Sequence, residues 1–305
     1  MTNTTETFWD VDGVSLHTYA FNIETLGGDR AAPPPVRGDD VLVPYLPGTR
    51  FVPKVPDARV MTLGMWVIGA NEDGTVPDDG DARLAYEYNW RMLRKLLWRY
   101  RTQFTLTKRF WVPTQDLVDA GVSLAGKTQR GSNTLIEASA KAAFHSGLAP
   151  AMDGPARARF TVDLRLSDPY FYGEQVTIPF STSTAPGDPG PTQTRKILGD
   201  DRTTDITFAL EGPLTAPQFT VTSDSVNPYI RYATVIADGD DVMIDVKRFR
   251  AQHTDTLSTY WSSGYVSHYG DRPWFYLDPD DDATIALTVQ SGTGVGALTY
   301  RPAWL

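Results

Sequence analysis

"STSTAPGDPGPTQTR" (Ser181–Arg195) divides the chain into two stretches of different character. Its prolines remove backbone donors, its glycines weaken regular structure, and its Ser and Thr residues have almost nothing to bury. Such a composition reads as a linker. Downstream, "TTDITFALEG" (203–212), "QFTVTS" (218–223), "YIRYATVIADGDDVMIDV" (229–246), "RPWFYLDP" (272–279) and "ATIALTVQ" (283–290) are short strand-like runs. Turn signals such as Asp238-Gly239-Asp240 separate them, which is the pattern of a β-sandwich. No segment after Arg195 carries a convincing helical period.

Upstream the pattern is mixed. "DARLAYEYNWRMLRKLLWRY" (81–100) predicts a helix whose stripe is Leu84, Tyr88, Met92, Leu96 and Tyr100, widened by Ala85, Trp90, Leu93 and Leu97. Asp81 suits its N-cap, and Arg94, Lys95, Arg99 and Arg101 complement the negative end of its dipole. Strands are expected at 60–70, 102–112 and 156–166. The opening "TFWDVDGVSLHTYAFNIETLGG" (7–28) predicts two short strands joined at Asp12-Gly13. Between Pro33 and Pro53 stand six prolines, with Pro56 just beyond, so this stretch reads as a long loop or extended arm, with Val41–Val43 pairing at an edge. The region "SNTLIEASAKAAF" (132–144) has no clear assignment.

The 305 residues exceed what one hydrophobic core comfortably serves, so two domains are expected. The division is 1–180, a linker at 181–196, and 197–305. The fold class is mostly β (α+β): a β-barrel-like first domain with one α-helix, then a β-sandwich. A net charge of −9 disfavours tight or sequence-specific nucleic-acid binding, which relies on clustered Lys and Arg. No cysteine means no disulfide, no thiol nucleophile and no Cys-ligated metal. "MTNTTETFWDVDG" (1–13) lacks a basic region followed by an apolar run, so no secretory signal is expected. No apolar run approaches the roughly 20 residues that span a bilayer. A soluble protein without membrane insertion is the expectation.

Candidate chemistry is sparse. "LDPDDDATIALTV" (277–289) places Asp278, Asp280 and Asp282 at alternating positions, as an EF-hand loop requires. Ala283 and Val289 occupy the places of the loop's Gly and bidentate Glu, so the acids read as a solvated turn before a strand, with a looser cation site as the alternative. His17, His145, His253 and His268 show no metal-ligand spacing. There is no G-x-S-x-G elbow, no G-x-G-x-x-G and no Walker loop. Ser291–Gly296 is Gly-rich but lies between strands, and Arg37-Gly38-Asp39 reads as coincidence. No motif pairs two carboxylates for glycoside hydrolysis. Trp261, Trp274 and Tyr276 could stack on sugar rings, or pack in a core or interface. No enzyme and no cofactor is expected.

Several stretches, in order, resemble the distal tail protein family of long-tailed siphophages, especially those infecting actinobacteria. They are "FWDVDGVSLHTYAFNI" (8–23), "PPPVRGDDVLVPYLPGTRFVPKV" (33–55), "WRMLRKLL" (90–97), "VDLRLSDPYFYGE" (162–174), "LEGPLTAPQFTV" (210–221), "RPWFYLDPDDDATIALT" (272–288) and "ALTYRPAWL" (297–305). The resemblance implies a virion protein at the tail tip, made in the host cytoplasm. It implies a ring-forming N-terminal domain and an outward galectin-like sandwich. The ring, usually a hexamer, joins the major tail tube protein to the tail-tip hub around a channel for DNA. The tape measure protein is a further neighbour. Sugar-binding galectins carry an H-x-N-x-R motif, and neither His253 nor His268 is followed by it.

Ring geometry needs two different faces per subunit. Pro33, Pro34, Pro35, Val41, Val43, Tyr45 and Phe51 in the Pro-rich arm, with Trp66 and Trp111, are the expected ring and tube contacts. Prolines lower the entropy lost when such an arm orders. Six copies of a chain of charge −9 sum to −54, and an acidic channel would let DNA slide without sticking. The rival expectation is a carbohydrate-binding adsorption protein using Trp261, Trp274 or Tyr276. A tail-associated hydrolase is a third, without motif support.

Overall fold

The computed structural model describes residues 8–24, 34–37, 41–42, 49–50, 55–71, 73–77, 79–183, 189–222, 227–268 and 275–305. The chain forms two compact units that are not continuous in sequence. Unit 1 holds Met1–Trp111, Glu137–Phe171 and Leu305, and unit 2 holds Val112–Ile136 and Tyr172–Trp304. The fold is mostly β, built of curled antiparallel sheets.

Unit 1 is built on β1 (Phe8–Val11), β2 (Val14–Ser15), β3 (Phe21–Ile23), β4 (Arg59–Ile68), β5 (Phe104–Pro113), β6 (Asn133–Gly147) and β7 (Arg157–Leu166). Their order in the sheet is β2-β1-β5-β6-β7-β4-β3. The first turn forms where Asp12-Gly13 requires it. Val11 pairs with Val14, and Asp12 and Gly13 have φ of 47° and 81°. Positive φ at both central residues is the demand of a type I′ hairpin, whose twist matches its strands. Asp12 is fixed there because its carboxylate accepts the Thr105 backbone N–H at 2.8 Å and pairs with Arg99.

β4 and β7 pair over their whole length, bringing Met61, Leu63, Met65 and Val67 beside Leu164, Val162, Phe160 and Ala158 on one buried face. Helix α1 (Asp79–Leu97) covers this face, with Trp90 edge-on to Phe160. β6 occupies the stretch left unassigned above. Its buried positions include Ala138, Ala140 and Ala142, small helix-forming residues that give little strand signal. The Pro-rich arm forms two nested antiparallel pairs, 36–37 with 55–56 and 41–42 with 49–50. Val41 thus pairs locally and not at an edge of the main sheet.

Unit 2 contains two sheets. The first is ordered β8 (Val176–Ser181), β18 (Val295–Tyr300), β10 (Ile206–Glu211), β13 (Asp241–Asp245), β14 (Arg250–Thr254), β15 (Thr259–Trp261). The second is ordered β9 (Thr192–Ile197), β17 (Asp280–Thr288), β11 (Gln218–Thr222), β12 (Tyr229–Tyr232), β16 (Val266–His268). Their inner faces share one core. Within it Phe208 lies 4.6 Å from Phe219 and 5.1 Å from Phe275, centroid to centroid. Beside Phe219, Gly296 is closely packed: a Cβ there would lie 3.1 Å from the Phe219 ring and 2.9 Å from a Leu287 methyl.

Two expectations need correction. Ser181 ends β8 and Thr192–Arg195 opens β9, so the residues between them connect the two sheets inside unit 2 and do not link the two units. Composition alone cannot distinguish a crossover from a linker. A second, short helix, α2 (Thr114–Asp119), follows Pro113 and belongs to unit 2, beyond the single helix expected. Among the described residues no helix is long and apolar enough to cross a membrane.

Candidate functional site

The helix expected at 81–100 is present but its face is rotated: of the expected positions only Leu93 and Leu97, on the wider edge of the stripe, are fully buried. Ala82, Tyr86, Asn89, Leu93 and Leu97 are buried. Leu84, Tyr88 and Met92 are 68%, 62% and 47% exposed, and Tyr100 lies beyond the helix end. Asn89 explains the phase. Its amide donates to the carbonyls of Ile68 and Ala70 at 2.9 and 2.8 Å, groups that the strand end leaves without ladder partners. Gly69 between them approaches the first turn of α1 so closely that a Cβ would stand 1.8 Å from the Ala82 oxygen. The helix is seated by Tyr86, Leu93 and Leu97 together with a polar residue and a glycine, and a second apolar stripe, Leu84, Tyr88 and Met92, faces outwards.

The remaining expected contacts are scattered. Pro34 is buried and Pro35 exposed, while Pro33, Val43, Tyr45, Phe51 and Trp274 lie outside the described residues. Trp66 sits half-buried on β4, opposite the Met65 face, and Trp111 half-buried near the end of β5. β6 and β7 stand between these strands, a separation of about 14 Å at the usual strand spacing, so the two tryptophans form no common patch.

The acidic turn is tied to the protein itself. Arg202 grips Asp278 through two hydrogen bonds of 2.8 and 3.2 Å, and Asp280 accepts the Asp282 N–H at 2.9 Å. The same guanidinium lies 3.8 Å from the Tyr276 ring centroid and occupies one face of that ring. Trp261 differs: it is 66% exposed on the edge strand β15, with Arg250 5.4 Å from its ring centroid. Among the described residues no three acidic or histidine side chains are grouped to hold a metal.

His253 is buried. Nδ1 lies 3.0 Å from the Tyr232 hydroxyl and Nε2 3.2 Å from an Asp240 carboxylate oxygen. A carboxylate only accepts, so Nε2–H donates to Asp240, and in the neutral imidazole Nδ1 then accepts from the phenol. Burial raises the Tyr232 pKa and keeps the phenol neutral. This chain anchors the 238–240 turn to β14 and has no open face for a substrate.

The outer face of the first sandwich sheet is more open. Pro179, Ala297, Ala209, Met243, Gln252 and Trp261 form one cross-strand row by register. The small side chains of that row leave a groove of about 580 Å³. Glu211 and Asp241 face each other directly across β10 and β13 at its side.

No family model matches the chain, and no curated protein matches it. Solved structures do. The Dit protein of phage SPP1, described as a paradigm of the hub adsorption apparatus in phages infecting Gram-positive bacteria, is similar over 97% of this chain and 99% of its own. The TM-score is 0.53 at 15% identity, which establishes a Dit-like fold. The phage P2 baseplate in its activated conformation with calcium matches with a TM-score of 0.36 at 7% identity, over 96% of this chain and 98% of that one.

Proposed function

We propose that the protein is a structural component of a phage tail tip: a ring, hexameric as in the family resemblance, that joins the tail tube to the tip hub around a channel for DNA. The observation that supports this best is the whole-chain extent of the Dit-like fold, which takes in both units. In this reading the sandwich of unit 2 is the galectin-like module. The major tail tube protein and the hub are its neighbours, with the tape measure protein inside the channel. The protein acts by geometry, and its place is the virion. Negative-stain imaging with mass by light scattering tests it: six-fold rings with open centres are expected, and a monomer that stays monomeric with its tube protein added would sink it. The Pro-rich arm is proposed to contribute to the ring. Intact rings after deletion of 33–56 would remove that part alone.

A second reading, glycan adsorption, draws on Trp261, exposed at the end of the sheet-face row. Glycan arrays probed with the full chain and with Trp261→Ala test it, and saturable binding lost in the variant would favour it.

A further inference from the structure

Two surfaces of this chain lack what the other offers. On α1, Leu84, Tyr88 and Met92 stand four residues apart and form one exposed apolar stripe. Beside it Arg91, Arg94 and Lys95 are exposed, and among the described residues none has a carboxylate partner. Arg91 and Lys95, four apart, repel each other. On the sandwich groove the balance is reversed. Met243 and Val295 are 54% and 46% exposed, and Glu211 and Asp241 are exposed and directly opposed. Like charges opposed across strands are destabilising, and among the described residues neither acid has a cation.

We infer that α1 of one copy docks in the sheet-face groove of a second copy. The dimensions agree. From Leu84 to Met92 the helix rises about 12 Å, and from β8 to β13 three strand spacings cover about 14 Å. With Leu84 over Pro179 and Met92 over Met243, Arg91 and Lys95 come to the side where Glu211 and Asp241 stand. Like-charge repulsion on both surfaces is relieved by one contact, and the apolar stripe leaves water. The contact is heterologous, joining different faces of two copies, so it propagates to a closed ring or a filament. Trp261 lies beyond the docked stretch. The inference rests on the self-association that the proposed ring requires and names a surface for it.

The test uses charge reversal in the full chain, read by light scattering against concentration. Glu211→Lys with Asp241→Lys, or Arg91→Glu with Lys95→Glu, is expected to raise the concentration needed for assembly about tenfold or more. Combining all four reversals is expected to restore it. The chain has no cysteine, so Met92→Cys mixed with Met243→Cys gives a second readout: an intermolecular disulfide on oxidation. That readout decides the matter if a reversal variant fails to fold. Assembly unchanged by either reversal, or lost in both and not restored by their combination, overturns the docking while the ring reading stands. A wild-type chain that never associates and never cross-links overturns both.

Discussion

At the scale of single residues, the fold depends on polar groups placed where apolar ones would be expected. Asn89 satisfies two carbonyls at the end of β4 while buried in the helix face. Asn89→Leu keeps the γ-branched shape but orphans both acceptors. A loss of about 2–3 kcal/mol is expected, measured by urea unfolding. Tyr300 is a second case. Its hydroxyl accepts the Leu198 N–H at 3.3 Å, and burial pushes its pKa up to about 12. The folded state holds this proton more tightly than the unfolded chain, whose phenol titrates near 10. The resulting stability is complete below pH 10 and is lost as pH rises from 10 to 12. Tyr300→Phe is expected to lower neutral-pH stability by about 1–2 kcal/mol and to flatten the alkaline fall between pH 10 and 12. Melting temperatures across that range check both parts.

At the scale of elements, α1 shows what periodicity can and cannot carry. The helix was legible, because apolar residues recur at helical spacing from 82 to 97 and cations gather at its end. Its buried face was not. The stripe Leu84–Tyr88–Met92 is apolar throughout, while the buried stripe mixes Tyr86, Leu93 and Leu97 with the small Ala82 and the polar Asn89. Hydropathy ranks the first stripe higher, yet the second is what fits against Gly69 and β4. Leu93→Ala is therefore expected to cost about 2–4 kcal/mol, and Leu84→Ala less than about 0.5. Equal losses in chemical denaturation would contradict this placement of the helix. Short strands with turn signals, such as β10, β13 and β17, were read directly, because alternation and Asp-Gly punctuation are local properties. β6 was missed because Ala at inward positions carries little hydrophobic contrast.

At the scale of the whole molecule, the two units interleave along the chain. A cut at residue 197 would remove β8, with buried Val176, Ile178 and Phe180, and nearly all of β9 from the sandwich. The fragment 197–305 is expected to lack a cooperative thermal transition that the full chain shows, with near-UV circular dichroism as the check. A sharp transition in that fragment would place the boundary at the Pro-rich stretch after all. Local pattern alone carried a mostly β chain, a helix at 81–100 that the structure places at Asp79–Leu97, a tight hairpin at Asp12-Gly13 and strand-turn alternation in the second half. Each of these follows from the preferences of a few neighbouring residues. Long-range packing set which face of α1 is buried, that the segment between β8 and β9 joins two sheets of one unit, that His253 lies inside, and that 112–136 joins the second unit. Those outcomes depend on partners distant in sequence, such as Gly69 with Ala82, or Tyr300 with Leu198, and no local pattern encodes which distant surface a segment will meet.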